Sequence, residues 1–494
     1  MSNLYDKLKE YSVSGIYPFH MPGHKRNTAS MPEWNPWEID MTEVEGTDNL
    51  HHAEGILKEA MERAAGLSGA DQTYFLVNGS TGGILSAVAS VVKPGDTVLV
   101  ARNCHKSVYH AVFLNQLRAV YIYPEWIEEY HMAGGICPDK VEKILAEHPQ
   151  IRAVILTSPT YEGIVSDIGR ITEAAHRRGI PVIVDEAHGA HFNQAGFPVS
   201  AVKRGADIVI QSYHKTLPAL TQTGVLHLCG SLVNRQRLEE FLSIYQTSSP
   251  SYVLMASIDY AVSFLENGQE AMKAYEKRLL SVRERLAQLT CISVPGRELV
   301  GKYAVYDVDN SKIILAAGGK HGDRILNGKR LYETLRLDYG LQCEMAMEGY
   351  ALAMTSVMDT EEGYERLIRA LSEISDLYGR LDDAGRTGTP AVQSVRSDGG
   401  IYQENRKEAV LTIAEAGCAA KESVPFWQAA GRISGEYLYL YPPGTPLLVP
   451  GERITAELLH RADNLKRIGF ELQGLQRETE IQVCIAVDKA GRKI

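Results

Sequence analysis

Between residues 73 and 228, short apolar runs alternate with helical stretches, and most of these runs end in a polar loop. The runs are Thr73–Val77, Thr97–Val100, Val120–Tyr123, Ala153–Leu156, Val182–Val184, Asp207–Ile210 and Gly224–Leu228. Helical spacing fills the gaps at Gly82–Val92, Pro138–His148 and Ile168–Arg178. Continuous apolar runs of this length suit strands buried on both faces. Their alternation with helices builds a mostly parallel sheet covered by helices. The expectation is an α/β large domain around a seven-stranded, mostly parallel sheet. Ligands collect at the carboxyl ends of the strands in such a sheet, so the loops after the runs are where the chemistry is expected.

The flanking composition divides the remaining chain. Residues 1–55 form an N-terminal arm with little periodicity beyond the helical spacing of Leu4, Leu8 and Tyr11. The large domain spans 56–290, and 291–381 reads as a small α+β domain with a strand at Lys312–Ala317 and helices over Gly328–Asp338 and Thr360–Tyr378. Residues 382–404, rich in Gly, Thr, Ser, Pro and Asp, read as a linker. A C-terminal α+β domain follows over 405–494. A net charge of −10 argues against a nucleic-acid partner. The seven cysteines are scattered, odd in number and without a CxxC pair, which excludes a disulfide framework or zinc cluster and fits the cytoplasm. The first residues lack the apolar core of a signal peptide, and no apolar run approaches the roughly 18–20 residues of a membrane span.

The strand-end loops share a theme. After Thr73–Val77 comes Asn78-Gly79-Ser80-Thr81-Gly82-Gly83 opening a helix, a turn whose free N–H groups, hydroxyls and helix dipole suit an anion or an ordinary N-cap. His105 follows Thr97–Val100, where an imidazole could stack on a flat ring. Thr157-Ser158-Pro159-Thr160-Tyr161-Glu162-Gly163 forms a polar lip after Ala153–Leu156. Asp185 ends Val182–Val184, and a buried carboxylate needs a partner such as a protonated pyridine nitrogen. Asp185-Glu186-Ala187-His188 spells a helicase box, but no phosphate-loop lysine motif accompanies it; His188 and His191 lack the H-E-x-x-H metal pattern. Lys215, in Ser212-Tyr213-His214-Lys215-Thr216, follows Asp207–Ile210 and can form an imine with an aldehyde. An anion turn, an imidazole, a carboxylate and a lysine together match what pyridoxal 5′-phosphate (PLP) requires.

These residues, with Phe19-His20-Met21-Pro22-Gly23-His24-Lys25 and Glu422-Ser423-Val424-Pro425 and Tyr441-Pro442-Pro443-Gly444-Thr445-Pro446, resemble the Orn/Lys/Arg decarboxylases. The resemblance runs over nearly the whole chain and implies fold type I. It implies that Lys215 carries the Schiff base, Asp185 pairs with the ring nitrogen and His105 stacks on the ring. His188 would lie against the ring or near the reacting carbon, and Ser80, Thr81, Gly82, Ser212 and His214 would hold the phosphate. It further implies that the segment at Thr247 reaches the neighbouring subunit's phosphate, making a homodimer the smallest complete unit. With only the arm before residue 73, the chain resembles the short biosynthetic branch rather than the longer members that carry a receiver-like N-terminal domain.

The expected reaction is decarboxylation of arginine or lysine, with ornithine also open. Glu344 and Thr160 are candidate substrate contacts, and Glu43 and Asp48 are further acceptors for a cationic side chain. Another fold type I reaction stays open as the alternative, aminotransferase or β-lyase, with Arg324, Arg330 and Arg336 as carboxylate clamps. No metal is expected.

Overall fold

The computed structural model describes residues 4–29, 31, 35–317, 326–383, 408–440, 444–477 and 479–485. Seven strands form the large sheet: β1 (Gln72–Leu76), β2 (Thr97–Ala101), β3 (Arg118–Ile122), β4 (Ile151–Thr157), β5 (Val182–Asp185), β6 (Ile208–Gln211) and β7 (Gly224–Leu228). Their order is β1-β7-β6-β5-β4-β2-β3. Neighbours pair in parallel except around β7, which runs antiparallel to both β6 and β1. Six strands therefore point their carboxyl ends to one edge, and β7 begins there. The apolar runs are buried on both faces: Val98, Leu99, Val154, Ile183, Val184, Ile208 and Val209 expose 1% or less.

The predicted strands stand within a few residues of their expected positions. A helix absent from the expectation, α2 (Lys106–Leu114), follows β2; α1 (Gly79–Val91) follows β1. The α2 sequence mixes β-branched and aromatic residues with polar ones, so its helical signal is weak. It holds because Val108, Tyr109, Ala111 and Val112 form a buried stripe and His105 caps its first turn. The helix expected from Ser231 begins at Arg235, where the Asn234 side chain accepts the Arg237 N–H.

A four-stranded antiparallel sheet carries the second core, in the order Ile292–Ser293, β8 (Lys312–Ala317), β9 (Tyr350–Met354), Met345–Ala346. Helices Gln269–Leu286, Gly328–Leu337 and Glu361–Asp383 pack with it. The last helix runs five residues past Tyr378 into the start of the expected linker; residues 384–407 lie outside the described residues, as does Arg324. The C-terminal segment pairs Lys421–Pro425 with Glu480–Cys484 and adds a three-stranded sheet around Leu438–Leu440. Of its expected motif, Tyr441, Pro442 and Pro443 lie outside the described residues.

Two connections fix these units around the sheet edge. Arg102, just past β2, is fully buried and forks onto Glu452 at 3.2 and 3.1 Å while donating to the Pro446 carbonyl at 2.7 Å. The arm pairs Tyr17–Phe19 in parallel with Leu341–Cys343 and then crosses to the lysine loop, where the Gly23 N–H donates to the His214 carbonyl at 2.7 Å. A Cβ on Gly23 would sit 2.7 Å from the Leu217 carbonyl oxygen, so only glycine lets the strap lie this close. Among the described residues, no helix is long and apolar enough to cross a membrane.

Candidate active site

A cavity of about 280 Å³ opens at the carboxyl edge of the large sheet, between it and the four-stranded sheet. Ser80, Thr81, His105, Thr160, Asp185, His188, Ser212, His214 and Lys215 all line it. Gly82 and Thr247 do not. Gly82 lies buried in the first turn of α1, and Thr247 is exposed, its carbonyl accepting His51 Nε2 at 2.8 Å. Glu344 stands behind the wall. Its carboxylate accepts the Tyr161 hydroxyl at 3.0 Å and the Met21 N–H at 2.9 Å.

Lys215 sits in a one-turn helix (Tyr213–Thr216) just past β6, with its Nζ 3.0 Å from His188 Nε2 and over the Tyr161 ring. Burial pushes the Lys215 amine below its ordinary range, and the Asp185 carboxylate only partly opposes this. A lowered amine pKa makes the nucleophilic, unprotonated form easier to reach. Burial and the Lys215 charge push His188 far down as well, so its ring is neutral. Tyr161 packs on that ring with centroids 4.3 Å apart.

Asp185 ends β5 with one hydrogen bond, from the Ala187 N–H at 3.1 Å. Burial pushes its carboxyl up, against the pull of Lys215, so a further cationic donor would be stabilising there. His105 is pushed down to about 3, by burial first and then by Lys215. Its Nδ1 accepts the Ser107 N–H at 3.2 Å, which fixes the tautomer and the ring plane. At the far end of the cavity the Ser80 and Ser212 hydroxyls meet at the N-terminus of α1, whose N-cap Asn78 makes no side-chain cap bond. His214 hydrogen-bonds the Thr223 carbonyl through Nδ1 at 2.8 Å, so that nitrogen carries a proton.

The wall fits PLP. Asn103 Oδ1, Thr157 Oγ1 and His188 Nδ1 are buried in it without a hydrogen-bond partner. The hydroxyls at a helix N-terminus would suit a phosphate, the carboxylate at a strand end would suit a ring nitrogen, and the buried lysine would suit an aldehyde. Among the described residues no cluster of His, Cys, Asp or Glu has metal-binding geometry.

The other acidic candidates are committed elsewhere. Asp48 accepts the N–H groups of Asn49, Glu54, Gly55 and Leu57; burial raises its pKa, but these bonds outweigh it and hold the carboxyl at about 2. It closes the start of helix Ile56–Ser68 rather than facing the cavity. Glu43 is also absent from the wall. No arginine is in the wall among the described residues; Arg330 lies over the Tyr378 ring and Arg336 is exposed. Glu162, Tyr350 and Met21 do line the cavity and were not singled out from the sequence. Glu162 carried a signal as a charged residue inside a strand-end loop, and Met21 lies in the Phe19–Lys25 stretch that carries the family resemblance.

The Orn/Lys/Arg decarboxylase major-domain model matches residues 2–313, and the C-terminal-domain model of the same family matches 400–487. The chain belongs to the Orn/Lys/Arg decarboxylase family. Relatives in the family include an arginine decarboxylase of Halalkalibacterium halodurans, 34% identical over 93% of this chain and 92% of the relative. An arginine decarboxylase of Bacillus subtilis is 32% identical over 96% of each. Lysine decarboxylase A from Pseudomonas aeruginosa superposes with a TM-score of 0.75 at 22% identity, covering 97% of this chain and 80% of that one. The fold is that of the fold type I PLP-dependent enzymes.

Proposed function

We propose that this protein decarboxylates a basic L-amino acid with PLP as cofactor, and that arginine is its preferred substrate. Relatives named arginine decarboxylase at 32–34% identity support arginine over lysine, for which the named relatives are 23–24% identical. Lys215 Nζ would anchor the cofactor aldehyde, Asp185 would pair with its ring nitrogen, and His105 would lie flat against the ring. Ser80, Thr81, Ser212 and His214 would hold the phosphate. Bound PLP supplies an electron-accepting ring that takes up the electron pair left on Cα when CO₂ departs.

The chain's own contribution follows from the wall. Asp185 would keep a proton on the ring nitrogen. Tyr161, Tyr350 and Met21 exclude water. His188 Nε2 and Lys215 Nζ lie 3.0 Å apart, and either would be placed to hand a proton to Cα. Thr160 borders the substrate end, and Glu344, behind the wall, holds Tyr161 and Met21 in place.

The observation that carries decarboxylation over transamination is the absence of an arginine from this wall among the described residues. A substrate carboxylate without a cationic clamp is not stabilised in the ground state, and its loss is therefore not opposed. Trapping CO₂ in step with amine, with no keto acid formed, tests this. In the same assay Lys215→Ala should lose the visible absorbance of bound cofactor and at least ~10³-fold in turnover. Retained steady-state turnover in that variant would overturn the assignment.

A homodimer is the proposed working unit, with the Thr247 segment reaching the partner's phosphate end. Support comes from the arm, where Leu4, Tyr5 and Trp37 are 74%, 70% and 85% exposed. The scattered free cysteines support a cytoplasmic setting. The diamine or guanidino-amine product is the kind of compound that polyamine synthesis consumes.

A further inference from the structure

We infer that Glu162 is the residue that receives the cationic end of the substrate side chain, an inference that rests on the basic amino-acid reading above. Glu162 lines the same cavity as Lys215 and Asp185, yet it is 8% exposed and no described residue forms an ion pair with it. Its Oε1 accepts the buried Tyr350 hydroxyl at 2.6 Å, and its Oε2 takes no hydrogen bond from any described residue. A buried carboxylate served by one neutral phenol is costly. A cation delivered by the ligand would relieve that cost, and the charge would then be strongest where a cationic substrate must be told from a neutral one.

Its backbone is held for this task. Glu162 occupies a turn closed by the Gly163 N–H to the Thr160 carbonyl at 3.0 Å and the Thr160 N–H to the Ile164 carbonyl at 2.9 Å. Gly163 adopts φ +88°, and a Cβ there would meet the Asp309 carbonyl oxygen and Lys312 Cγ, each at 2.9 Å. The turn is thus pinned against β8, while Tyr350 of β9 grips the carboxylate from the small domain.

Glu344 makes the instructive contrast. Both its oxygens are taken by donors of the chain itself, the Tyr161 hydroxyl and the Met21 N–H. It positions the wall, and Glu162 is left with the open oxygen. Met21, Trp126, Tyr161 and Met347 line the cavity beside it and offer apolar and aromatic surface to methylenes and to a planar guanidinium, which stacks on aromatic faces more readily than an ammonium.

The test is titration of the PLP-loaded enzyme, followed by calorimetry, with two amines. Agmatine, the amine made from arginine, carries the cationic tail; n-pentylamine carries a neutral one. Glu162→Gln keeps the size and the Tyr350 contact but removes the charge. It should weaken agmatine by ~30-fold or more and leave n-pentylamine unchanged. Glu162→Asp, which keeps the charge but withdraws it by one methylene, should weaken agmatine selectively and less. Equal losses for both amines, no loss for either, or no agmatine binding to the wild type would overturn the inference. Wild-type CO₂ release is scored separately. If arginine, lysine and ornithine all fail there, the decarboxylase reading falls, while the selective agmatine loss still decides the role of Glu162.

Discussion

At the residue scale, two adjacent carboxylates share a motif and part ways. Asp185 faces the cavity with a single backbone donor, whereas Glu186 turns into the protein and accepts the Ser200 hydroxyl, the Ala201 N–H and the Gln211 amide at 2.6, 2.7 and 2.6 Å. Burial pushes Glu186 up to about 7 despite those three donors. A carboxyl whose folded value lies above its unfolded one binds more protons when folded, so its stabilising effect is full below pH 4.5 and fades as pH climbs to about 7. Glu186→Gln removes that titration. Thermal unfolding across pH should show the variant gaining on the wild type between pH 4.5 and about 7, then a constant difference. Parallel curves throughout would contradict the shift. The strand end singled out Asp185 as the acid that faces the ligand, but what Glu186 does could not be read, because its partners Ser200 and Gln211 arrive from elsewhere in the chain.

At the scale of elements, the strands were legible because they are buried on both faces. Runs such as Val182–Val184 and Asp207–Ile210 have no polar alternation to confuse with a helix, and their ends named Asp185 and Lys215 directly. What could not be read were contacts over long separations. Gly23 against the lysine loop, Glu344 behind Tyr161, and Glu162 under Tyr350 each join residues more than 180 positions apart. Arg102 belongs to the same class. It stands just past β2, yet its side chain is spent on Glu452, from the C-terminal segment. Removing one partner leaves a buried charge uncompensated, so Glu452→Gln should cost about 3–5 kcal/mol in denaturant unfolding. The loss should fall hardest on the docking of residues 408–485, seen as earlier proteolysis of that segment. A change below 1 kcal/mol would show that the fork is not what holds it.

At the scale of the molecule, the seven-stranded sheet, the small sheet and the arm converge on one cavity, and the exposed face of the arm is the unfinished part. Helix Leu4–Ser12 has no buried residue, and Trp37 stands almost fully open. Sedimentation at micromolar concentration should find a dimer, with the monomer appearing when residues 1–13 are removed; a monomeric full-length chain would contradict the proposed shared site. The central claim is chemical and has a direct test. Purified protein loaded with PLP is given arginine, lysine and ornithine in parallel, and CO₂ and amine are measured together. The account predicts equal amounts of CO₂ and amine, with kcat/KM highest for arginine. Keto acid in place of CO₂, or no release from any of the three, would contradict it.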